Sequence, residues 1–171
     1  IEELEKCALV DPHTGLMKKR GLEMNLRSVV GVMHRYGWTY GVIYIDIDEF
    51  ERINEMYGRD VGDSVLKMIA KTLQNSVRAT DVVGRWEDDA FMVIAANVNE
   101  DQLNHIANKI RVLVEQSGFS TGADIIRVTA PVCATGVRPN DTVGTLFERI
   151  DKLMEHSKVF RKKDVLLKMA V

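Results

Sequence analysis

The spacing of apolar residues changes period several times along the chain, and each change marks an element. From Lys18 to Tyr36, Leu22, Met24, Leu26, Val29, Val30, Val32 and Met33 recur at helical intervals, and Gly37 supplies a stop. Thr39 to Ile45 reads TYGVIYI, a β-rich run that ends in Asp46 and Asp48. It predicts a buried strand that delivers carboxylates at its C-terminal end. Val61, Val65, Met68, Ile69 and Leu73 then fall at i, i+4, i+7, i+8 and i+12, one apolar stripe of a helix starting near Asp60. A hairpin follows, with strands Asp81 to Trp86 and Phe91 to Ala95 around the acidic turn Glu87, Asp88, Asp89.

Leu103, Ile106, Ala107, Ile110, Leu113 and Val114 mark a further amphipathic helix, capped by Asn99, with Glu100 and Asp101 in its first turn and an end near Gly118. Ile125 to Thr135 alternates as one strand, and Val143, Leu146, Phe147, Ile150, Leu153 and Met154 give a last helix before a short apolar run, Val165 to Leu167. The order from Thr39 to Thr135 is therefore β-α-β-β-α-β. That is an α+β fold, an α/β sandwich with a ferredoxin-like βαββαβ core, in which helices cover one face of a mainly antiparallel sheet.

At 171 residues, with 46% hydrophobic and 28% charged, the chain has material for one core, expected over 10–171. Residues 1–9 read as the end of an upstream signalling helix or linker. The formal charge of −2 offers no basic field for a nucleic-acid backbone. Cys7 and Cys133 belong to no disulfide or zinc pattern, which fits a cytoplasmic setting. No apolar run is long enough to span a membrane, and the first residues, IEELEKCALVD, lack the basic start and apolar core of a signal peptide, so direct membrane insertion by this segment is not expected. The first residue is Ile1, and the expectation is a segment of a longer protein whose sensor or membrane anchor lies outside it.

A strand ending in Asp46 beside a turn carrying Asp89 brings two carboxylates to one sheet edge, the donor type that holds magnesium for nucleotide chemistry; the alternative is a solvated acidic loop. The run IDIDEFERINEMYGRDVGDSVL, Ile45 to Leu66, resembles the corresponding segment of the GGDEF family, the diguanylate cyclases, with its Asp-x-Asp strand end, Phe, Asn, Tyr-Gly and Gly-Asp. DPHTGLMKKRGLE, Asp11 to Glu23, is similar to the family's opening motif Asp-x-Leu-Thr-Gly-Leu-x-Asn-Arg. RATDVVGRWEDDAF, Arg78 to Phe91, stands where the family has R-x-x-D, five residues and the signature. The resemblance implies a nucleotide-cyclase, palm-like fold. Two such domains would each bring one GTP and join them into cyclic di-GMP. By position, Asp46 and Asp89 would be metal ligands, Asn54 and Asp63 would read guanine, and Lys158 and Lys162 would hold the triphosphate.

The departures from the family pattern argue against that reaction. The signature reads Glu87-Asp88-Asp89-Ala90-Phe91, so both glycines and the fourth-position acid are replaced. Glu87 and Asp88 are expected to strain or obstruct a turn where glycine permits positive φ. Ala90 removes an acid near the reacting centre, and Glu51 stands where the family has a phosphate-binding Lys. A weak or vestigial Mg2+ site is the expectation, with GTP not a productive ligand. By contrast Arg78, Asp81 and Lys109 match the family's inhibitory site for cyclic di-GMP, where a guanidinium pairs with guanine or phosphate. The same R-x-x-D string recurs at Arg85, Arg138 and Arg161, so position singles out Arg78. The structural alternative makes Arg78 a helix-terminal base and Asp81 a turn residue.

These readings converge on a catalytically inactive domain that acts as a cyclic di-GMP receptor. The expected partners are a second copy or another signalling domain. The alternatives are a weakly active cyclase and a nucleotide-independent docking domain. His13, His34, His105 and His156 lack metal-ligand spacing, and Cys133 and the methionines read as core.

Overall fold

Strand β2, Tyr40–Asp46, is the axis of the fold, and its alternation explains why. Ile43 and Ile45 point into one buried cluster. Val42 and Tyr44 point into a second cluster on the opposite face. A strand buried on both sides must be covered on both sides. The structure, a computed structural model, describes residues 9–160, with side chains described as far as His156.

The other elements are β1 Met17–Lys18, α1 Lys19–Tyr36, α2 Phe50–Tyr57, α3 Arg59–Ser76, β3 Val82–Glu87, β4 Ala90–Ala96, α4 Glu100–Gln116, β5 Gly118–Ser120, β6 Ile125–Arg127, β7 Val132–Gly136 and α5 Val143–Phe160. The main sheet runs β1-β3-β4-β2-β7. All its pairings are antiparallel except the short parallel contact of β1 with β3.

The fold class read from the sequence is the one observed, with one correction. Helices lie on both faces rather than one. Leu66, Ile69 and Leu73 of α3 and Leu103, Ile110 and Val114 of α4 pack on Ile43, Ile45, Phe91 and Val93. Leu22, Leu26 and Val29 of α1 and Leu146, Ile150 and Leu153 of α5 pack on Val42, Met92, Ile94 and Cys133. Burial pushes the Cys133 thiol up to about 12, as befits a core thiol. Two methionines read as core are not: Met24 and Met56 are 54% and 63% exposed.

Helix ends follow local chemistry. Gly37 adopts the left-handed conformation, φ 66, and its N–H reaches the Met33 carbonyl at 2.9 Å. Asn99 forms a reciprocal capping box with Gln102 through bonds of 2.8 and 2.9 Å. Helix α2 was not anticipated. Its apolar stripe is only two turns long, with Phe50 buried and Ile53 and Tyr57 half-buried against the same cluster.

The strand expected over Ile125 to Thr135 is two strands in different sheets. β6 pairs with β5 in a separate ribbon, and β7 joins β2. Between them Pro131 has no N–H to donate, though its carbonyl accepts from the Asp46 N–H at 3.1 Å. The run Val165 to Leu167 lies outside the described residues. Among those described, no helix is long and apolar enough to cross a membrane.

Candidate functional site

The C-terminal end of β2 and the tip of the β3–β4 hairpin form one edge. Asp46 pairs in register with Ala90, and the Ile47 N–H donates to the Asp89 carbonyl at 2.9 Å. Ala90 also pairs with Glu87. Glu87, Ala90 and Asp46 therefore occupy one rung across three strands, an acid on each side of an alanine. Glu87 meets Lys19 Nζ at 3.2 Å. The same ammonium lies 4.6 Å from the centre of the Trp86 ring, and Trp86 stacks on Phe147 at 4.1 Å. Asp48 Oδ2 accepts from the Thr129 hydroxyl at 2.8 Å. Tyr44 shares a face with Asp46. Burial first, then the charges of Asp46 and Glu87, raise its hydroxyl above the usual tyrosine range.

Of the strain or obstruction expected from Glu87 and Asp88, the strain is not found. Among the described non-glycine residues only Glu49 and Asn97 have positive φ. Instead the register shifts by one residue between Arg85 and Glu87, leaving Trp86 as a bulge that adjusts the turn without left-handed backbone. Arg85 holds that turn from below. Its Nε and Nη2 donate to the Asp88 carbonyl at 3.1 and 2.6 Å, and its Nη1 donates to Asp11 Oδ2 at 3.1 Å. Asp11 also accepts from the Thr14 N–H and hydroxyl at 2.9 and 2.7 Å. Burial alone would raise the Asp11 carboxyl. The bonds from Thr14 and Arg85 outweigh it and hold the group below the usual carboxylate range.

Asn54 and Asp63, the positions expected to read guanine, lie on either side of the elbow between α2 and α3. Gly58, φ +89, separates the helices and returns its N–H to the Asn54 carbonyl at 2.9 Å. The Asn54 side chain lies directly over Gly62, leaving no room for a Cβ there, and Asp63 is the next residue. Glu49 opens α2 in the left-handed region, φ 53, without a side-chain cap. Glu51 is exposed in the first turn of α2.

Magnesium is commonly held by one or two carboxylates completed by water and phosphate oxygens, and Asp46 and Asp89 are donors of that type at one edge. Among the described residues no group of three or more His, Cys, Asp or Glu gathers to hold a metal unaided. The donor set therefore fits a cation completed from outside the chain. All four histidines are exposed.

At the opposite end of the sheet, the Arg78–Asp81 turn closes on β4. Asp81 is 1% exposed in its side chain and Arg78 52%. The Asp81 carboxylate accepts the Arg78 N–H at 2.9 Å, the Ala96 N–H at 3.0 Å and the Arg78 guanidinium at 3.5 Å. Arg78 Nη2 also donates to the Ala96 carbonyl. A buried aspartate thus fixes a half-exposed guanidinium at the surface. The turn recurs at Arg138–Asp141, where Asp141 accepts the Arg138 N–H at 2.8 Å and two bonds from Arg149, at 3.0 and 2.6 Å. Lys109 is exposed on α4, and no described bond joins it to Arg78 or Asp81. Its neighbour Arg111 turns to Glu115 and Asn108, each at 3.1 Å. Of the phosphate candidates, Lys162 lies outside the described residues and the side chain of Lys158 is not described.

Sequence reasoning missed Lys19 and Glu49 as parts of the site, and it treated Arg85 as a chance R-x-x-D. Lys19 and Arg85 act across 68 and 74 residues, and no local pattern announces such pairs.

The sequence profile of the family described as diguanylate cyclase, GGDEF domain, matches residues 8–163. The chain is 31% identical over 168 residues to the response regulator PleD of Caulobacter vibrioides, covering 96% of this chain and 37% of PleD. It is 28% identical over 158 residues to the diguanylate cyclase DgcP of Pseudomonas aeruginosa, covering 92% of this chain and 24% of DgcP. The chain thus spans well under half the length of these curated relatives. Among solved structures, diguanylate cyclase SiaD of P. aeruginosa, crystallised with its activator SiaC, superposes with a TM-score of 0.90 at 27% identity, over 99% of this chain and 64% of that one. The coiled coil and GGDEF domain of DgcB from Caulobacter crescentus, in complex with c-di-GMP, gives 0.89 at 20% identity, over 96% and 87%. With the profile spanning nearly the whole fold and the strand-end, elbow and hairpin motifs in their places, this chain belongs to the GGDEF domain family.

Proposed function

We propose that this domain is a degenerate GGDEF domain, without useful cyclase activity, that serves as a cyclic di-GMP receptor through Arg78. The carrying observation is the half-exposed Arg78 guanidinium, oriented by a buried Asp81 and the Ala96 carbonyl. A guanidinium held in a fixed plane pairs bidentately with the O6 and N7 edge of guanine or with phosphate. In this reading Asp81 is a positioning residue, and Lys109 adds a cation from α4. Ligand occupancy would be read out through pairing with a second copy or with a partner signalling domain.

The reading of the other edge as inactive rests on Ala90, which offers no acid between Glu87 and Asp46. Asp46, Glu87, Asp88 and Asp89 make that edge anionic. A triphosphate would add like charge, which costs about 1 kcal/mol per close pair in water and more where water is excluded. Asp46 and Asp89 would hold magnesium, and the ion would supply charge neutralisation for phosphate when bound.

A second reading, a docking domain that binds no nucleotide, is favoured by the recurrence of the same turn at Arg138–Asp141. Thermal unfolding separates the two. Ligand at 100 times its dissociation constant stabilises the native state by about 2.7 kcal/mol. For a domain of this size that raises the melting temperature by roughly 5–10 °C. The receptor reading predicts such a rise with cyclic di-GMP, little with GTP and magnesium, and none in R78A. No response to either nucleotide would favour docking, and pyrophosphate release from GTP would restore the cyclase.

A further inference from the structure

This inference rests on the reading of Arg78 as a cyclic di-GMP ligand and extends that site. Two aromatic rings stand exposed at the end of α1. Tyr36 is 60% and Trp38 58% exposed. Their ring centroids are 5.5 Å apart with the planes tilted by 31°. They flank Gly37, whose left-handed backbone closes the helix, so a built turn presents them.

The backbone ties these rings to the Arg78 turn. Tyr40 pairs with Ala96, and the Asn97 N–H donates to the Thr39 carbonyl at 2.7 Å. On its other side the same Ala96 gives its N–H to Asp81 at 3.0 Å and its carbonyl to Arg78. Tyr40 and the Arg78–Asp81 turn therefore approach one residue of β4 from its two sides, about 10 Å apart across two strand spacings, and Trp38 lies two residues before Tyr40. Arg35, in the last turn of α1, adds a second exposed cation next to the rings.

We propose that Trp38, supported by Tyr36, is a base-stacking platform for one guanine of a cyclic dinucleotide whose other guanine or phosphate is held by Arg78. The chemistry of the ligand matches this division. Cyclic di-GMP carries two purines joined through two phosphates. An edge or a phosphate suits the guanidinium, and a π face suits an indole held open to solvent. Cations on both sides of the ligand complement its two phosphates.

Fluorescence and affinity together test it. The chain has two tryptophans, so W86F leaves Trp38 as the reporter and keeps an aromatic ring against Phe147. Saturable quenching of Trp38 by cyclic di-GMP is expected, absent in W86F/R78A. W38L, at an exposed position, should keep the fold by circular dichroism and weaken binding about 5- to 150-fold, the usual loss for one stacked base. W38F should recover most of it. Unchanged affinity in W38L, with wild-type binding intact, would overturn the platform and leave the receptor reading standing. No cyclic di-GMP binding by the wild type would overturn both.

Discussion

At the residue scale, the site is governed by which carboxylates the fold has already engaged. Asp81 is almost wholly buried and collects two backbone N–H groups and a guanidinium. D81N keeps the shape but puts an amide where an acceptor is needed, leaving donors imperfectly satisfied. We expect a loss of about 1–3 kcal/mol in urea unfolding, together with weaker cyclic di-GMP binding because Arg78 loses its brace. Glu49 shows the opposite case, a residue held in left-handed backbone, φ 53, with no cap to show for it. Glycine adopts that conformation freely, so E49G should raise stability by about 0.5–1 kcal/mol in the same assay. A fall in stability would mean that the Glu49 side chain makes a contribution beyond its 3.6 Å approach to Arg52.

At the element scale, the hairpin and the opening loop behave as one unit because Arg85 bonds both Asp88 and Asp11. R85A should lower stability by about 2–3 kcal/mol, since it strips a charged bond from a largely buried carboxylate. The pH dependence has a definite sign. Asp11 and Asp141 are held below their ordinary value of 3.8 in the fold. Their contribution is therefore complete above that value and is lost as the pH falls through the lower native values. D11N should flatten the acid limb of the stability curve below about pH 4, measured by urea melts at stepped pH. Gly84 offers a packing test: a Cβ there would strike three carbons of fully buried Leu22. G84A should destabilise by about 1–3 kcal/mol through overpacking between β3 and α1.

These elements also show what the sequence could disclose. The capping box at Asn99, the Gly37 stop and the alternation of β2 are local, and each was legible from a few adjacent residues. Helix α2 was not, because its stripe of Phe50, Ile53 and Tyr57 spans only two turns, too few repeats to stand out between charged neighbours. The division of Ile125 to Thr135 between two sheets was hidden for another reason. Alternation reveals that a segment is extended, but not which strand it pairs with. The second helical layer followed from the same ambiguity, since Val42 and Ile43 are both apolar and only the fold tells their two faces apart.

At the scale of the whole molecule, the two ends of the sheet carry different chemistry. One end gathers Asp46, Glu87 and Asp89 around an alanine, with Lys19 and Arg85 holding the hairpin in an unstrained shape. The other end presents the half-exposed Arg78 turn, and the exposed pair Tyr36 and Trp38 stands just before β2 begins. The family motifs made both ends identifiable from sequence. The burial of Asp81 and its bonds to Arg78 and Ala96 required the fold.

The central claim is that Arg78 makes this domain a receptor. The most direct test is calorimetric titration of cyclic di-GMP into the purified chain, with R78A titrated alongside. The account predicts saturable heat from the wild type that disappears in a folded R78A. Equal heat from both proteins, or none from the wild type, would contradict it.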